Sequence, residues 1–164
     1  MQIKKGEDFQ MQGNPTKYMG YLYLGKFKYY KINKEGNERT LWFNKSFPLI
    51  GDYHSFLKKT SAELNVQSLD NYEIVLFNYE QMMELFDMNM DTQRFRATLA
   101  ERSMFGWRSI ALALHFNTAE ERYIELLNDY PEIEKEIPLK HIASTLGISP
   151  ETLSRIRKKL DENT

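Results

Sequence analysis

Cysteine is missing from all 164 residues. Its absence excludes disulfides, thiolate zinc sites and cysteine nucleophiles, and it fits a reducing cytoplasm. Histidine is scarce, with only His54, His115 and His141. A metal-dependent enzyme built in a β-barrel needs several imidazole and carboxylate ligands, and only His54 falls in the half of the chain that reads as strands. No Ser/His/Asp order, phosphate-cradling glycine loop or carboxylate pair stands out, so neither catalysis nor a resident metal or cofactor is expected. Long apolar runs are lacking too. The longest strictly apolar run in the helical half is Ile110 to Leu114, far too short to cross a bilayer. The first ten residues, MQIKKGEDFQ, have no signal-peptide core. The expected setting is the cytoplasm, with no membrane partner.

What remains is a chain with 41% hydrophobic residues, enough for real cores, and an ordinary 27% of charged ones. Residues 18 to 77 read as short strands. Tyr21 and Tyr23 alternate with Leu22 and Leu24, Phe27 and Tyr29 alternate with Lys26 and Lys28, and Glu35-Gly36-Asn37 marks a turn before a strand from Thr40 to Phe43. Leu64, Val66 and Ser68 alternate, and Ile74 to Phe77 is a short apolar run. Many short strands at this spacing predict an antiparallel sandwich or barrel with an aromatic core. From Tyr79 the period turns helical. A short helix carries Met82, Met83, Leu85 and Phe86, and Asp91 is expected to cap a long one reaching Phe116.

That long helix has two apolar faces. One runs Phe95, Leu99, Arg102, Gly106, Ser109, Ala113; the other includes Met104, Phe105, Trp107, Ile110, Leu112 and Leu114. Apolar surface on two sides implies two packing partners, and the small residues admit close approach of a second helix, so a dimer seam is expected. Thr118 and Glu121 form a capping box that opens a further helix, closed by Pro131.

The segment from Ile137 to Leu160 carries the chemistry. Leu139, Ile142, Ala143 and Leu146 share one helical face, and Leu153, Ile156 and Leu160 share a second. Gly147 stands where the first helix must end, Ser149 offers a capping oxygen and Pro150 suits a first turn. Two short helices joined through a glycine turn form a DNA-binding helix-turn-helix. With its apolar face inward, the second helix presents Pro150, Glu151, Ser154, Arg155 and Lys158 outward, towards a major groove. Arg155 can donate two hydrogen bonds to a guanine edge, and Glu151 can accept one from a cytosine amino group. Arg157, Lys158 and Lys159 lie further along, suited to phosphates. Five cations against the single Glu151 give this segment +4 in a chain of net charge −1, leaving −5 for the rest.

The block EERYIELLNDYPEIEKEIPLKHIASTLGISPETLSRIRKKL, residues 120 to 160, resembles the C-terminal domain of the Crp/Fnr superfamily of bacterial transcription regulators. It is most similar to the Bacteroidetes branch, with its RY-x-x-LL-x-x-(Y/F)P and LGI-(S/T)-PETLSRIR signatures. KKGEDFQMQGNPTKYMGYLYLGKFKYYKINKEGNERTLWF resembles the early strands of the family's cyclic-nucleotide-binding-like domain. The resemblance implies an α+β chain: a jelly-roll sensor over 1–80, a helical linker and dimerisation helix over 81–117, and a winged-helix-like DNA-binding domain over 118–164. It implies a homodimer reading a pseudo-palindromic site with recognition helices about 34 Å apart, with RNA polymerase and a small-molecule effector as further partners. Base reading then falls to Glu151, Thr152 and Arg155, beside the cap Ser149, and Pro150 replaces an arginine frequent in the family.

Other departures concern the effector. Cyclic-nucleotide binders hold ribose with a Gly-Glu pair and phosphate with the arginine of an Arg-(Ser/Thr)-Ala run. Here the matching residues are Gly51-Asp52 and Thr60-Ser61-Ala62. Thr60 supplies no cation, and Lys58 or Lys59 cannot reproduce the planar fork. Losing that contact costs on the order of a hundredfold in affinity, which argues against cyclic AMP as a tight ligand. The chain starts at the early strands and ends four residues after Leu160, so a leading helix and a β-wing are expected to be absent or minimal. The alternative function is a degenerate ligand-binding or protein-interaction module that no longer binds DNA.

Overall fold

The computed structural model describes residues 1–44 and 47–162. The chain divides into two compact units, Met1–Arg96 and Ala97–Thr164, with the boundary inside the long helix.

The first unit holds β1 (Gln2–Ile3), β2 (Asp8–Gln10), β3 (Met19–Tyr21), β4 (Phe27–Ile32), β5 (Glu38–Asn44), β6 (Leu49–Ile50), α1 (Tyr53–Lys58), β7 (Asn65–Ser68), β8 (Tyr72–Glu73), β9 (Val75–Phe77) and α2 (Tyr79–Asp87). Its three sheets, ordered β1-β8, β2-β7-β4-β5 and β6-β3-β9, are antiparallel throughout. Their inner faces bury Ile3, Phe27, Tyr29, Ile50, Val66 and Ile74, with Phe9, Trp42 and Tyr72 packed against them. Tyr29 stacks on Trp42 with ring centroids 4.4 Å apart, and Phe27 meets Tyr72 at 5.5 Å. Phe27, Tyr29 and Tyr30 are thus core, whereas Tyr18 and Tyr23 are exposed.

Three details depart from the strand reading. Tyr23 and Leu24 lie beyond the end of β3, in an exposed bend. The helix α1 stands where only strands are expected, and His54 sits on it, exposed. Lys28, which alternation puts on a wet face, is 3% exposed. A buried ammonium needs partners, and it has two: Glu38 Oε1 at 2.9 Å and the Tyr30 ring, whose centroid is 4.3 Å away.

The Tyr30 hydroxyl in turn donates to both carboxylate oxygens of Asp8, at 3.1 and 3.2 Å. Burial pushes the Asp8 carboxyl above 3.8, partly offset by the Tyr30 hydrogen bond and the Lys28 charge. A carboxyl raised on folding binds its proton more tightly in the native state, so its contribution to stability falls as pH rises through the range above 3.8. Asp8→Asn removes that slope. Urea midpoints of wild type and variant should diverge in favour of the variant as pH increases through that range, and parallel curves would contradict the assignment.

The helix α3 (Met90–Phe116) starts in the first unit and continues into the second. Its cap is Asn89, not Asp91: Asn89 Oδ1 accepts from the N–H groups of Asp91 and Thr92 at 2.9 and 3.0 Å. Asp91 occupies the first turn, where its charge suits the helix dipole.

The second unit adds α4 (Ala119–Asp129), α5 (Ile133–Glu136), α6 (Leu139–Thr145) and α7 (Pro150–Asp161). The expected capping box opens α4: Thr118 Oγ1 accepts from the Glu121 N–H, and Glu121 Oε2 accepts from the Thr118 N–H at 2.7 Å. Tyr123, Ile133, Ile137, Ile142, Ala143, Leu146 and Leu153 form its buried interior. Among the described residues no helix is long and apolar enough to cross a membrane.

Candidate functional site

The turn between α6 and α7 forms as its residues dictate. Gly147 takes the left-handed conformation (φ 72°), its N–H donates to the Ser144 carbonyl at 3.0 Å, and the Ile148 N–H reaches the Ala143 carbonyl at 3.0 Å. These bonds satisfy carbonyls that the end of α6 leaves orphaned. Ser149 then caps α7 by accepting from the Thr152 N–H at 3.2 Å, and Pro150 follows in the first turn. Leu153 is fully buried and Ile156 and Leu160 half-buried, so the opposite face of α7 is the wet one.

On that face Pro150, Glu151, Ser154, Arg155, Lys158 and Lys159 are exposed, while Thr152 is half-buried. Arg155 Nη2 lies 3.2 Å from Thr152 Oγ1, which holds the guanidinium alongside the first turn. The Ser149 hydroxyl, then the backbone N–H of Glu151 itself, keep the Glu151 carboxyl below its usual range, so it stays an acceptor. A guanidinium and a carboxylate thus project together from the capped end of a helix.

Two of the remaining cations of α7, Arg157 and Lys159, are tied down. Arg157 is half-buried, with Nε 2.6 Å from Glu134 Oε1. Glu134 also accepts a hydrogen bond from the Tyr123 hydroxyl. Lys159 Nζ is 2.6 Å from Glu120 Oε2, and Lys158 only loosely approaches Glu162, at 3.8 Å. One functional candidate escaped the sequence reading. The guanidinium of Arg122 donates to the Asn117 carbonyl at 2.6 Å and, through Nη2 and Nε, to the Leu146 carbonyl at 2.8 and 3.2 Å. Its signal, the Arg-Tyr pair opening the RY-x-x-LL run, says nothing about partners 24 residues away.

The positions matching a nucleotide pocket are spent on the fold. Asp52 is buried and caps α1. Its Oδ1 accepts from the Ser55 N–H at 3.2 Å, and its Oδ2 from the Ser55 hydroxyl at 2.8 Å and the Glu63 N–H at 2.9 Å. Gly51 is at φ 128°, and a Cβ there would stand 2.9 Å from Met19 Sδ. The segment Thr60 to Ala62 pairs with residues 13–16: Ala62 N–H donates to Asn14, Gly13 N–H to Ala62, and the Thr16 hydroxyl to Thr60. Thr60 and Ser61 border an open groove of about 490 Å³, where the Lys59 ammonium stands 3.9 Å from the Tyr79 ring centroid and 3.7 Å from Glu80. No cluster of three or more metal-ligating side chains occurs among the described residues.

Along α3 only Leu99 is buried. Phe95, Arg102, Gly106 and Ser109 are exposed, Ala113 is half-buried, and a Cβ on Gly106 would meet nothing within 4 Å. The other side leaves Met104, Phe105, Trp107, Leu112 and Leu114 at 40–58% exposure. Both apolar faces are largely uncovered within one chain.

No protein-family model matches the chain. The transcriptional activator protein Anr of Pseudomonas aeruginosa is 23% identical over 172 residues, spanning 98% of this chain and 70% of the relative. FixK2 from Bradyrhizobium japonicum superposes with a TM-score of 0.78 at 16% identity, covering 99% of this chain and 84% of that one. A CRP/FNR-family transcriptional regulator from Thermus thermophilus gives 0.78 at 13% identity, over 99% and 86%. The c-di-GMP responsive global regulator CLP of Xanthomonas campestris gives 0.72 at 18%, again over 99% and 86%. The chain thus shares the fold of these CRP/FNR-type regulators, and its sequence is similar to that of Anr along almost its whole length.

Proposed function

We propose that this chain is a sequence-specific DNA-binding transcription regulator, acting as a homodimer on a pseudo-palindromic site, and not an enzyme. The observation that carries the reading is the capped, wet face of α7, where Glu151, Ser154, Arg155 and Lys158 project from a helix whose other face is core. Arg155 and Glu151 read base edges, with Thr152 and Ser149 shaping the first turn. Lys158 contacts phosphate freely, whereas Arg157 and Lys159 reach it only by leaving Glu134 and Glu120. Homodimerisation through the stripe of Phe95, Arg102, Gly106, Ser109 and half-buried Ala113, in which Leu99 is already buried within the chain, brings two such helices onto one duplex. The division of labour is sensor 1–80, linker and dimer helix 81–117, DNA-binding domain 118–164.

Tight cyclic AMP binding is not part of this function. The carboxylate nearest the ribose position is saturated by Ser55 and Glu63, and Thr60 stands where an arginine would supplement it. Any small-molecule effector uses other contacts, and RNA polymerase is the partner through which a bound regulator acts on transcription.

A salt titration on promoter DNA tests the reading. Affinity should fall steeply and log-linearly with salt, with two chains bound per duplex by sedimentation. Undetectable binding even at low salt would instead favour an interaction module that has given up DNA.

A further inference from the structure

We infer that Arg122 is a positioning residue for the recognition helix, an inference that rests on the DNA-binding reading. Its guanidinium grips two chain ends at once. Nη1 donates to the carbonyl of Asn117, just after α3 stops, and Nη2 and Nε donate to the carbonyl of Leu146, which ends α6. Leu146 immediately precedes Gly147, the pivot of the turn into α7. The planar fork thus fixes the distance between the carbonyl just beyond the long helix and the hinge that launches α7. A single ammonium has one donor centre and cannot span both carbonyls in this geometry.

Two further residues of α4, Tyr123 and Glu120, also act on α7. The Tyr123 hydroxyl donates to Glu134, whose carboxylate holds Arg157 at 2.6 Å, and Glu120 holds Lys159 at 2.6 Å. The first turns of α4 therefore hold the turn before α7 and two points along its length. Burial of Tyr123 and the adjacent Glu134 charge push its phenol up to about 12, so the hydroxyl stays a donor throughout the physiological range. In this arrangement Arg155 meets base edges only when the end of α3 is in the right place. A shift of that end is passed to α7 through Arg122.

The test compares full-length wild type, Arg122→Lys and Arg122→Gln, each with and without Arg155→Ala, on the specific duplex and on random duplex. Circular dichroism identifies the folded variants to be compared. Wild type should prefer its specific duplex; if it binds no DNA, the functional reading fails and the inference with it. With specific binding established, Arg122→Lys should lower affinity for the specific site on the order of tenfold and leave random-duplex affinity within about twofold. Arg155→Ala should cost roughly ten- to a hundredfold in wild type and less than about threefold in the Arg122→Lys background, because a misplaced arginine has little left to lose. A purely stabilising Arg122 would lower thermal midpoints without moving the specific-to-random ratio or the coupling with Arg155. That outcome, or wild-type specificity in a folded Arg122→Lys or Arg122→Gln variant, overturns the inference.

Discussion

Asp52→Ala should destabilise the sheet-bearing unit by about 3 kcal/mol and leave its response to cyclic AMP unchanged at none. Three donors, the N–H and hydroxyl of Ser55 and the N–H of Glu63, converge on this buried carboxylate, and its own N–H is held by Gln10 Oε1 at 2.7 Å. Losing a helix cap alone costs about 1 kcal/mol, and each buried donor left without its charged acceptor adds a further ~1 kcal/mol or more. Asp52→Asn should fall between: an amide keeps one acceptor but turns an N–H towards Glu63. Urea unfolding measures the loss. A thermal shift with millimolar cyclic AMP measures the second half, since a ligand at a hundred times its Kd raises stability by about 2.7 kcal/mol. A shift of that size in wild type, abolished in Asp52→Ala, would return this residue to a ligand-binding role.

The second large effect belongs to Arg155→Ala. Affinity for the specific site should drop roughly ten- to a hundredfold, about 1–3 kcal/mol, with base preference relaxed at the contacted position. Lys158→Ala should instead weaken all sequences alike and reduce the salt slope by about one. The contrast follows from geometry. Arg155 lies at the capped end, steadied by Thr152 at 3.2 Å, while Lys158 is a turn further on and exposed. Competition between specific and random duplex separates the two roles, and equal losses on both DNAs from both variants would show them wrongly assigned.

The helix-turn-helix was legible because every determinant is local. Core spacing at the helical period, a left-handed glycine and a serine-proline start all lie between Ile137 and Leu160, and the α4 capping box is as compact. The six residues of α1 were not legible, being too short for a periodic signal. Asp52 is the one clue there, and a carboxylate after a glycine suits a ligand contact as well as a helix cap. Alternation failed at Lys28 because Glu38 and the Tyr30 ring, ten and two residues away, make burial of its charge tolerable. Asn89 and Asp91 are both good caps, and only backbone geometry shows that Asn89 receives both N–H groups. Arg122 depends on a carbonyl 24 residues later, a pairing no window of local sequence contains.

The 27-residue helix α3 has a consequence of another kind. At 1.5 Å per residue it is a rod of about 40 Å, with Met104, Phe105, Trp107 and Phe116 open along the part that belongs to the second unit. Covering such a surface with a second chain ties folding to mass action. In the proposed homodimer, dilution works like a denaturant: a scarce chain is both undimerised and less stable, and as its concentration rises it becomes paired and durable together. On that proposal, cellular abundance of the chain is itself a setting of its activity.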